Sequence, residues 1–115
     1  MANTFKVVTK AGVTSADVIY TAGSGVTAIV LGLILGNTTT SQITSTVTLS
    51  SDTSSRAGAN DEANQAVVLI TDAPNPAGSS LELLSGNKVV LETTDTISVT
   101  GSGATDVALS IMEIT

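Results

Sequence analysis

Several side chains that catalysis depends on are absent or scarce in this chain. The sequence has no histidine, cysteine or tryptophan, one phenylalanine, one tyrosine and four basic residues. Enzymes usually use His, Cys, Lys or a tuned carboxylate held in a pocket, and a chain without cysteine offers no disulfide framework and no thiolate metal site. We therefore expect a non-enzymatic protein that has no catalytic, cofactor-binding or metal-binding residues and needs no cofactor.

Charge is also scarce, and most of it has one sign. Only 12% of the 115 residues are charged, 42% are hydrophobic, and the formal net charge is −6. A negative chain is not expected to bind nucleic acid, whose partners carry basic patches. The length predicts a single domain over residues 1–115, with too much apolar material for a disordered chain and enough to suggest that part of its surface is covered by a partner.

Long hydrophobic runs are missing as well. The most apolar segment, 26–35, is about half of the roughly 20 residues that a membrane-spanning helix needs. We predict a buried strand there and no membrane partner. The opening segment 1–5 lacks the basic region and apolar core of a cleaved signal peptide, so export by that route is not expected.

Serine and threonine are abundant, and they alternate with aliphatic residues. They make up 33 of the 115 residues. In 43–49, Ile, Ser, Val and Leu alternate with three Thr, which is the period-2 pattern of a strand with one face in the core. Segment 96–100 repeats this pattern. In 107–112 both faces are partly apolar, which predicts a central strand or one at a contact.

The same criteria predict about eight or nine strands separated by turns every 8 to 12 residues, and no amphipathic helix. Prolines 74 and 76 place their segment at a sheet edge or crossover. A Gly-containing connector at 85–87 predicts a hairpin between 81–84 and 88–92. The chain is therefore predicted to be all-β, a single antiparallel β-sandwich or jelly roll of about eight strands, with the strand order left open. The remaining predicted strands cover 5–9, 17–21, 26–35 and 66–71.

One long polar segment, 50–65, exceeds an ordinary connection in a compact domain. It is predicted to project from the sandwich, either as a mobile surface loop or as an arm that contacts a partner. Asp52, Asp61 and Glu62 lie in it, but their spacing lacks the order of an EF-hand calcium loop.

Other residues that resemble sites have simpler interpretations. Glu82 and Glu92 would face each other across the predicted hairpin, but without aromatic residues to hold a sugar they are interpreted as solvated carboxylates rather than a glycosidase pair. Asn37 matches a glycosylation sequon, which has meaning only on a secretory route. The Gly-Ser-Gly triplets at 23–25 and 101–103 are interpreted as turns. Lys88 and Arg56 are interpreted as lone surface cations.

Much of the chain resembles a known class of proteins. Segment 73–92 (APNPAGSSLELLSGNKVVLE), followed by 95–99 (DTISV) and the ending 106–115, resembles the small virion structural proteins of tailed bacteriophages, particularly those of cyanobacteria and marine bacteria. The opening 1–6 (MANTFK) and the strand 19–21 (IYT) are similar too. The resemblance lies in the pattern of strands and turns, so it implies a class of role and no site residues.

The resemblance implies a capsid decoration, or cement, protein that binds and stabilises the assembled shell. Its partners would be the major capsid protein and copies of itself, as a homo-oligomer and in particular a trimer, with no nucleic acid, membrane or small-molecule substrate. It would be located in the virion, assembled in the host cytoplasm. The alternative is a tail fibre or baseplate adaptor, or a receptor-binding module, which would need exposed aromatic residues or a pocket. A virion-associated enzyme is disfavoured.

Overall fold

A computed structural model describes residues 2–51, 65–84 and 88–115. In these ranges the chain forms nine strands and no helix, so the prediction of an all-β fold is confirmed. The strands are β1 (Asn3–Val13), β2 (Asp17–Thr21), β3 (Thr27–Asn37), β4 (Ile43–Ser51), β5 (Gln65–Asn75), β6 (Ser80–Leu83), β7 (Val89–Leu91), β8 (Thr96–Gly101) and β9 (Thr105–Ile114).

The strands form two antiparallel sheets whose order is that of a jelly roll. Sheet A has the order β1-β9-β3-β6, with β7 also paired to β3, and sheet B has the order β2-β8-β4-β5. The chain can be followed as one long two-stranded antiparallel ribbon, formed by the successive pairs β1·β9, β2·β8, β3·β6/β7 and β4·β5. Rolling this ribbon brings β9 beside β3 and β8 beside β4. The result is an eight-position, two-sheet jelly roll.

The prediction of a hairpin between 81–84 and 88–92 is wrong. Strands β6 and β7 both pair antiparallel with β3, β6 against Leu33–Gly36 and β7 against Ala28–Val30. They therefore run in the same direction and share one strand position, whereas a hairpin would make them antiparallel to each other. Residues 85–87 lie outside the described residues.

Strand β1 is longer than predicted, because it continues past a β-bulge at Gly12. The strand was predicted over 5–9, whereas β1 covers Asn3–Val13. Its register with β9 shifts between Lys10 and Val13, and Gly12 has a φ of +68° there. A left-handed residue inside a bulged strand is most easily a glycine. The main-chain N–H of Gly12 donates to Asp106 Oδ1 at 3.0 Å, which ties the bulge to β9.

The core lies between the sheets and consists almost wholly of aliphatic side chains from alternate strand positions. In sheet A, Leu109 of the central strand β9 pairs with Val8 on one side and Leu33 on the other, and Leu109 and Leu33 are fully buried. In sheet B, Val47 and Val99 are paired and equally buried. The alternation in 43–49, 96–100 and 107–112 correctly predicted that Val47, Val99 and Leu109 point inward.

Two buried asparagines connect the sheets at one end of the core. The Asn37 Nδ2 group of β3 donates to the main-chain oxygens of Asn75 and Ser41, both at 2.8 Å. Its Oδ1 accepts from the N–H of Thr39 at 2.8 Å and from the Thr39 hydroxyl at 2.7 Å. The Asn75 Nδ2 group of β5 donates back to the Leu35 carbonyl at 3.1 Å. The side chain of Asn37 is thus fully hydrogen-bonded inside the protein.

Candidate functional site

The outer face of sheet A carries the largest exposed apolar side chains of the described chain. On β1, Phe5 is 72% exposed and Val7 64% exposed, and both point away from the core. Val90 of β7 and Ile34 of β3 are about half exposed on the same face. Isolated exposed aliphatic residues are ordinary, but a contiguous group on one sheet face marks a contact surface.

Two of these residues, Phe5 and Val90, are the ends of a row of apolar side chains across the sheet, which we call the apolar ridge. Phe5 pairs with Met112 of β9, Met112 pairs with Ile29 of β3, and Ile29 pairs with Val90 of β7. Because paired residues on neighbouring antiparallel strands point to the same side, the four side chains stand together on the outer face. The apolar ridge, Phe5-Met112-Ile29-Val90, therefore spans every strand position of sheet A.

A groove lies on the same face, towards the other end of β1. It has a volume of about 380 Å³ and is lined by residues of β1, β3 and β9. Apart from Asp106, the outward-pointing residues of the lining are small or apolar, so the surface is lower here than at the larger neighbouring side chains. Gly36 contributes no side chain, and Ala11 and Ala108 contribute single methyl groups. The outward-facing residues of this groove are Thr9, Ala11, Ile34, Gly36, Asp106 and Ala108.

Two charges of opposite sign border this face on the β6/β7 side. Glu82 of β6 is exposed and pairs with Ile34, and Lys88 is exposed directly before β7, two residues from Val90. Neither takes part in an ion pair within the part of the chain that the structure describes. They differ from Lys10, whose Nζ lies 3.5 Å from Asp17 Oδ2 at the corner between β1 and β2.

The outer face of sheet B has a different character. It presents the hydroxyl residues of β4 and β8 in cross-strand pairs, Thr46 with Thr100 and Thr48 with Ser98. Val18 of β2 and Val68 of β5, both about half exposed, lie at its two sides. β-Branched hydroxyl residues suit a pleated, half-buried surface of this kind. This face is uncharged along β4 and β8.

Three ionisable side chains meet at the end of the sandwich where β9 finishes. The Lys6 Nζ lies 2.6 Å from Glu113 Oε1, and the Tyr20 hydroxyl donates to Glu113 Oε2 at 2.6 Å. The hydrogen bonds from Lys6 and then Tyr20 lower the pKa of Glu113, although burial opposes this. Burial and the bond to Glu113 raise the pKa of Tyr20. Since Tyr20 belongs to sheet B and the other two to sheet A, the cluster joins the sheets.

This cluster predicts a pH dependence of stability. A carboxyl whose pKa is lower in the folded than in the unfolded chain contributes stability above its unfolded pKa, and this contribution is lost as the pH falls through the folded value. We expect Glu113→Gln to lower the melting temperature near neutral pH, and the difference from the unmodified protein to shrink as the pH falls below the ordinary glutamate value of 4.5. Thermal melts of dilute protein between about pH 7 and about pH 3 test this.

Glu82→Gln is the matched control, because it removes an exposed carboxylate that has no ion pair within the described residues. It should shift the melting temperature little at any pH. A constant difference between Glu113→Gln and the unmodified protein over the whole range would contradict the expectation, since it would mean that charge on Glu113 is immaterial.

The residues considered as sites in the sequence are not brought together by the fold. Glu82 and Glu92 do not face each other, because β6 and β7 do not form a hairpin. Asn37 is buried and uses its amide in the core, which does not suit a glycan acceptor. Asp52, Asp61, Glu62 and Arg56 lie outside the described residues, as does most of the predicted loop 50–65. Within the described ranges, no group of three metal-ligating side chains occurs.

The other predictions have mixed outcomes. Segment 26–35 is part of β3, and none of the described residues form a helix able to cross a membrane. Pro74 lies in β5, an edge strand, as predicted. The sequence did not reveal the ridge or the groove, because both are made by residues that are distant along the chain. The exposed alternation of Phe5, Val7 and Thr9 was the one signal available.

Comparisons with known proteins identify no family for this chain. No family model and no curated protein matches the chain. Among solved structures, the chain is similar to one described by the words "Bacillus endospore appendages form a novel family of disulfide-linked pili". The two share 16% identity over 97% of this chain and 84% of the other, with a TM-score of 0.49. An identity and a TM-score this low do not indicate a shared function.

Proposed function

We propose that this protein is a structural subunit of a tailed phage virion, and specifically a decoration protein that binds and stabilises the assembled shell. The observation that carries the proposal is the presence of exposed apolar residues on the outer faces of both sheets. Phe5, Val7 and Val90 lie on sheet A, and Val18 and Val68 lie on sheet B. A subunit in a lattice needs contact surfaces on more than one side.

The mechanism of stabilisation is mass action. A protein that binds the assembled shell better than its free subunits shifts the equilibrium towards the shell. Association of this kind buries apolar area and uses hydrogen-bonding groups at its rim. The outer face of sheet B provides groups of both types, the exposed Val18 and Val68 and the hydroxyl pairs of β4 and β8. The resemblance of segments 73–92 and 106–115 to virion proteins supports this role.

The fold is compatible with this proposal and with its main alternative. Jelly rolls occur in viral capsid proteins and in lectins. The alternative is a tail fibre or baseplate adaptor, or a receptor-binding module. Sugar-binding sites favour aromatic platforms beside polar groups. The groove has no aromatic lining, and Tyr20 is engaged with Glu113 on the other side of sheet A. These features favour the decoration role.

Cryo-electron microscopy of purified particles of the phage that encodes this chain tests the proposal. We expect densities of the jelly roll in stoichiometric numbers over the icosahedral shell, with an apolar outer face against the major capsid protein. Particles made without the chain should release their genome at a lower temperature than complete particles. Density confined to the tail or baseplate would replace the proposal by the adaptor alternative, and particles free of the chain would overturn both.

A further inference from the structure

We propose that two copies of this chain associate through the outer faces of sheet A, stacked face to face with their strands antiparallel, so that the apolar ridge of each copy covers the groove of the other. The ligand of the groove is thus a second copy of the same chain, and Phe5 is its central contact. This deepens the proposed function by naming the surface used for self-association.

The placement of ridge and groove makes the face self-complementary. Phe5, Val7, Thr9 and Ala11 alternate along β1 and point to the same side, with Phe5 at the ridge and Ala11 at the groove. With a strand rise of about 3.4 Å per residue, Phe5 and Thr9 are about 14 Å apart. Turning one copy end for end exchanges the two features. Because this turn keeps β1 of one copy over β1 of the other, each exposed Phe5 then lies over Ala11 at the groove end of the partner.

The size of the face suits a stable contact. Four strand positions about 4.8 Å apart and up to eleven residues of about 3.3 Å each give an area of roughly 700 Å². Specific interfaces bury about 800 Å² on each partner. The shallow groove, with its volume of about 380 Å³, has room for an aromatic side chain and is lined mainly by methyl and methylene groups.

Charge favours a second copy as the occupant. The chain carries a net charge of −6, so two copies repel unless they meet on a face of low charge. The ridge and the Val7-Ser110-Gly32 positions beside it contain no charged residue, and at the groove the carboxylate of Asp106 accepts a hydrogen bond from the main-chain N–H of Gly12. Glu82 and Lys88 lie at the β6/β7 side, with Glu82 nearer the groove end and Lys88 nearer the ridge end. End-for-end stacking therefore sets Lys88 of one copy beside Glu82 of the other, twice.

Such a contact is two-fold, because the same surface is used by both copies. It predicts dimers of the isolated protein, in contrast to the trimer implied by the resemblance. It is tested with the purified chain alone, whereas the decoration role is tested in the particle. A monomeric protein found on the shell would overturn only the present inference, and a dimeric protein absent from the shell would overturn only the decoration role.

A charge exchange tests the arrangement directly. Sedimentation equilibrium of the full chain should show a monomer–dimer equilibrium, and Lys88→Glu and Glu82→Lys should each weaken it at least tenfold, since each places like charges together twice. An equimolar mixture of the two variants should restore dimers as heterodimers, because both cross-pairs are then of opposite charge. The double variant, with both changes in one chain, should dimerise to within about threefold of the unmodified protein.

A second pair of variants tests the apolar part. Phe5→Ser should weaken the dimer at least tenfold while leaving the far-ultraviolet circular dichroism unchanged, because Phe5 is 72% exposed and outside the core. Val68→Ser on the outer face of sheet B is the control and should leave dimerisation unchanged. The inference is overturned if the unmodified protein is monomeric at about 1 mM. It is equally overturned if mixing the two charge variants restores nothing, or if Val68→Ser weakens association as much as Phe5→Ser.

Discussion

Asn37→Asp is expected to lower the free energy of unfolding at neutral pH by about 3 kcal/mol or more. The side chains have nearly the same shape, but the Nδ2 group that donates to the carbonyls of Asn75 and Ser41 becomes an oxygen. The new carboxylate would face two carbonyl oxygens in a buried site, where an unpaired charge is costly. Urea denaturation followed by circular dichroism measures the loss.

The pH provides a further test of this variant. Protonation of the buried carboxyl restores one O–H donor towards these carbonyls, so the deficit should become smaller as the pH is lowered. Asn3→Asp is the matched control, since Asn3 is exposed on β1 and the chemical change is the same. Equal losses for the two variants would mean that the hydrogen bonds of Asn37 do not hold the sheets together as described.

Leu109→Ala is expected to lower the free energy of unfolding by about 2 to 5 kcal/mol, because it removes a fully buried side chain and leaves a cavity. Leu109 lies on the central strand of sheet A and is flanked by Val8 and Leu33. Since both neighbours belong to paired strands, the backbone has little freedom to collapse into the space. Thermal and urea unfolding of the same sample give the change in stability.

The control is Val68→Ala, which truncates an aliphatic side chain that is 50% exposed on the outer face of sheet B. It should change the free energy of unfolding by less than about 0.5 kcal/mol. A cost for Leu109→Ala below about 1 kcal/mol would show that the core is more adaptable than its packing indicates.

Alternation along the chain was enough to predict the strands and their inward faces. Val47 and Val99 were assigned inward by their spacing, and they are fully buried. Alternation says which face of a strand is buried but not which strand lies beside it. The sequence therefore leaves the order of strands within the sheets open. It predicts that 88–92 pairs with 81–84, whereas the observed partner of β7 is β3. The Gly-containing connector at 85–87 has the composition of a hairpin turn, but the strands on its two sides, β6 and β7, run in the same direction beside β3.

The candidate site could not be predicted because it is a property of three strands together. Gly36 of β3 directly follows the apolar segment 26–35, and Ala108 of β9 is one residue of the alternating segment 107–112, so neither is distinctive in the sequence. They form a groove only because β9 lies between β1 and β3, which sets them beside Ala11. The extension of β1 through Gly12 was also hidden, since a glycine in a turn-like segment usually indicates the end of a strand.

The position of β9 has a consequence for biosynthesis. It follows the other eight described strands along the sequence, yet it occupies the middle of sheet A between β1 and β3. Neither of those strands can acquire this neighbour during translation until it emerges, so sheet A forms late and through pairings that are distant in sequence. Met112 and Ala108 of β9 supply part of the ridge and of the groove. Until β9 emerges, a nascent chain therefore has no finished outer face of sheet A with which to recruit another copy.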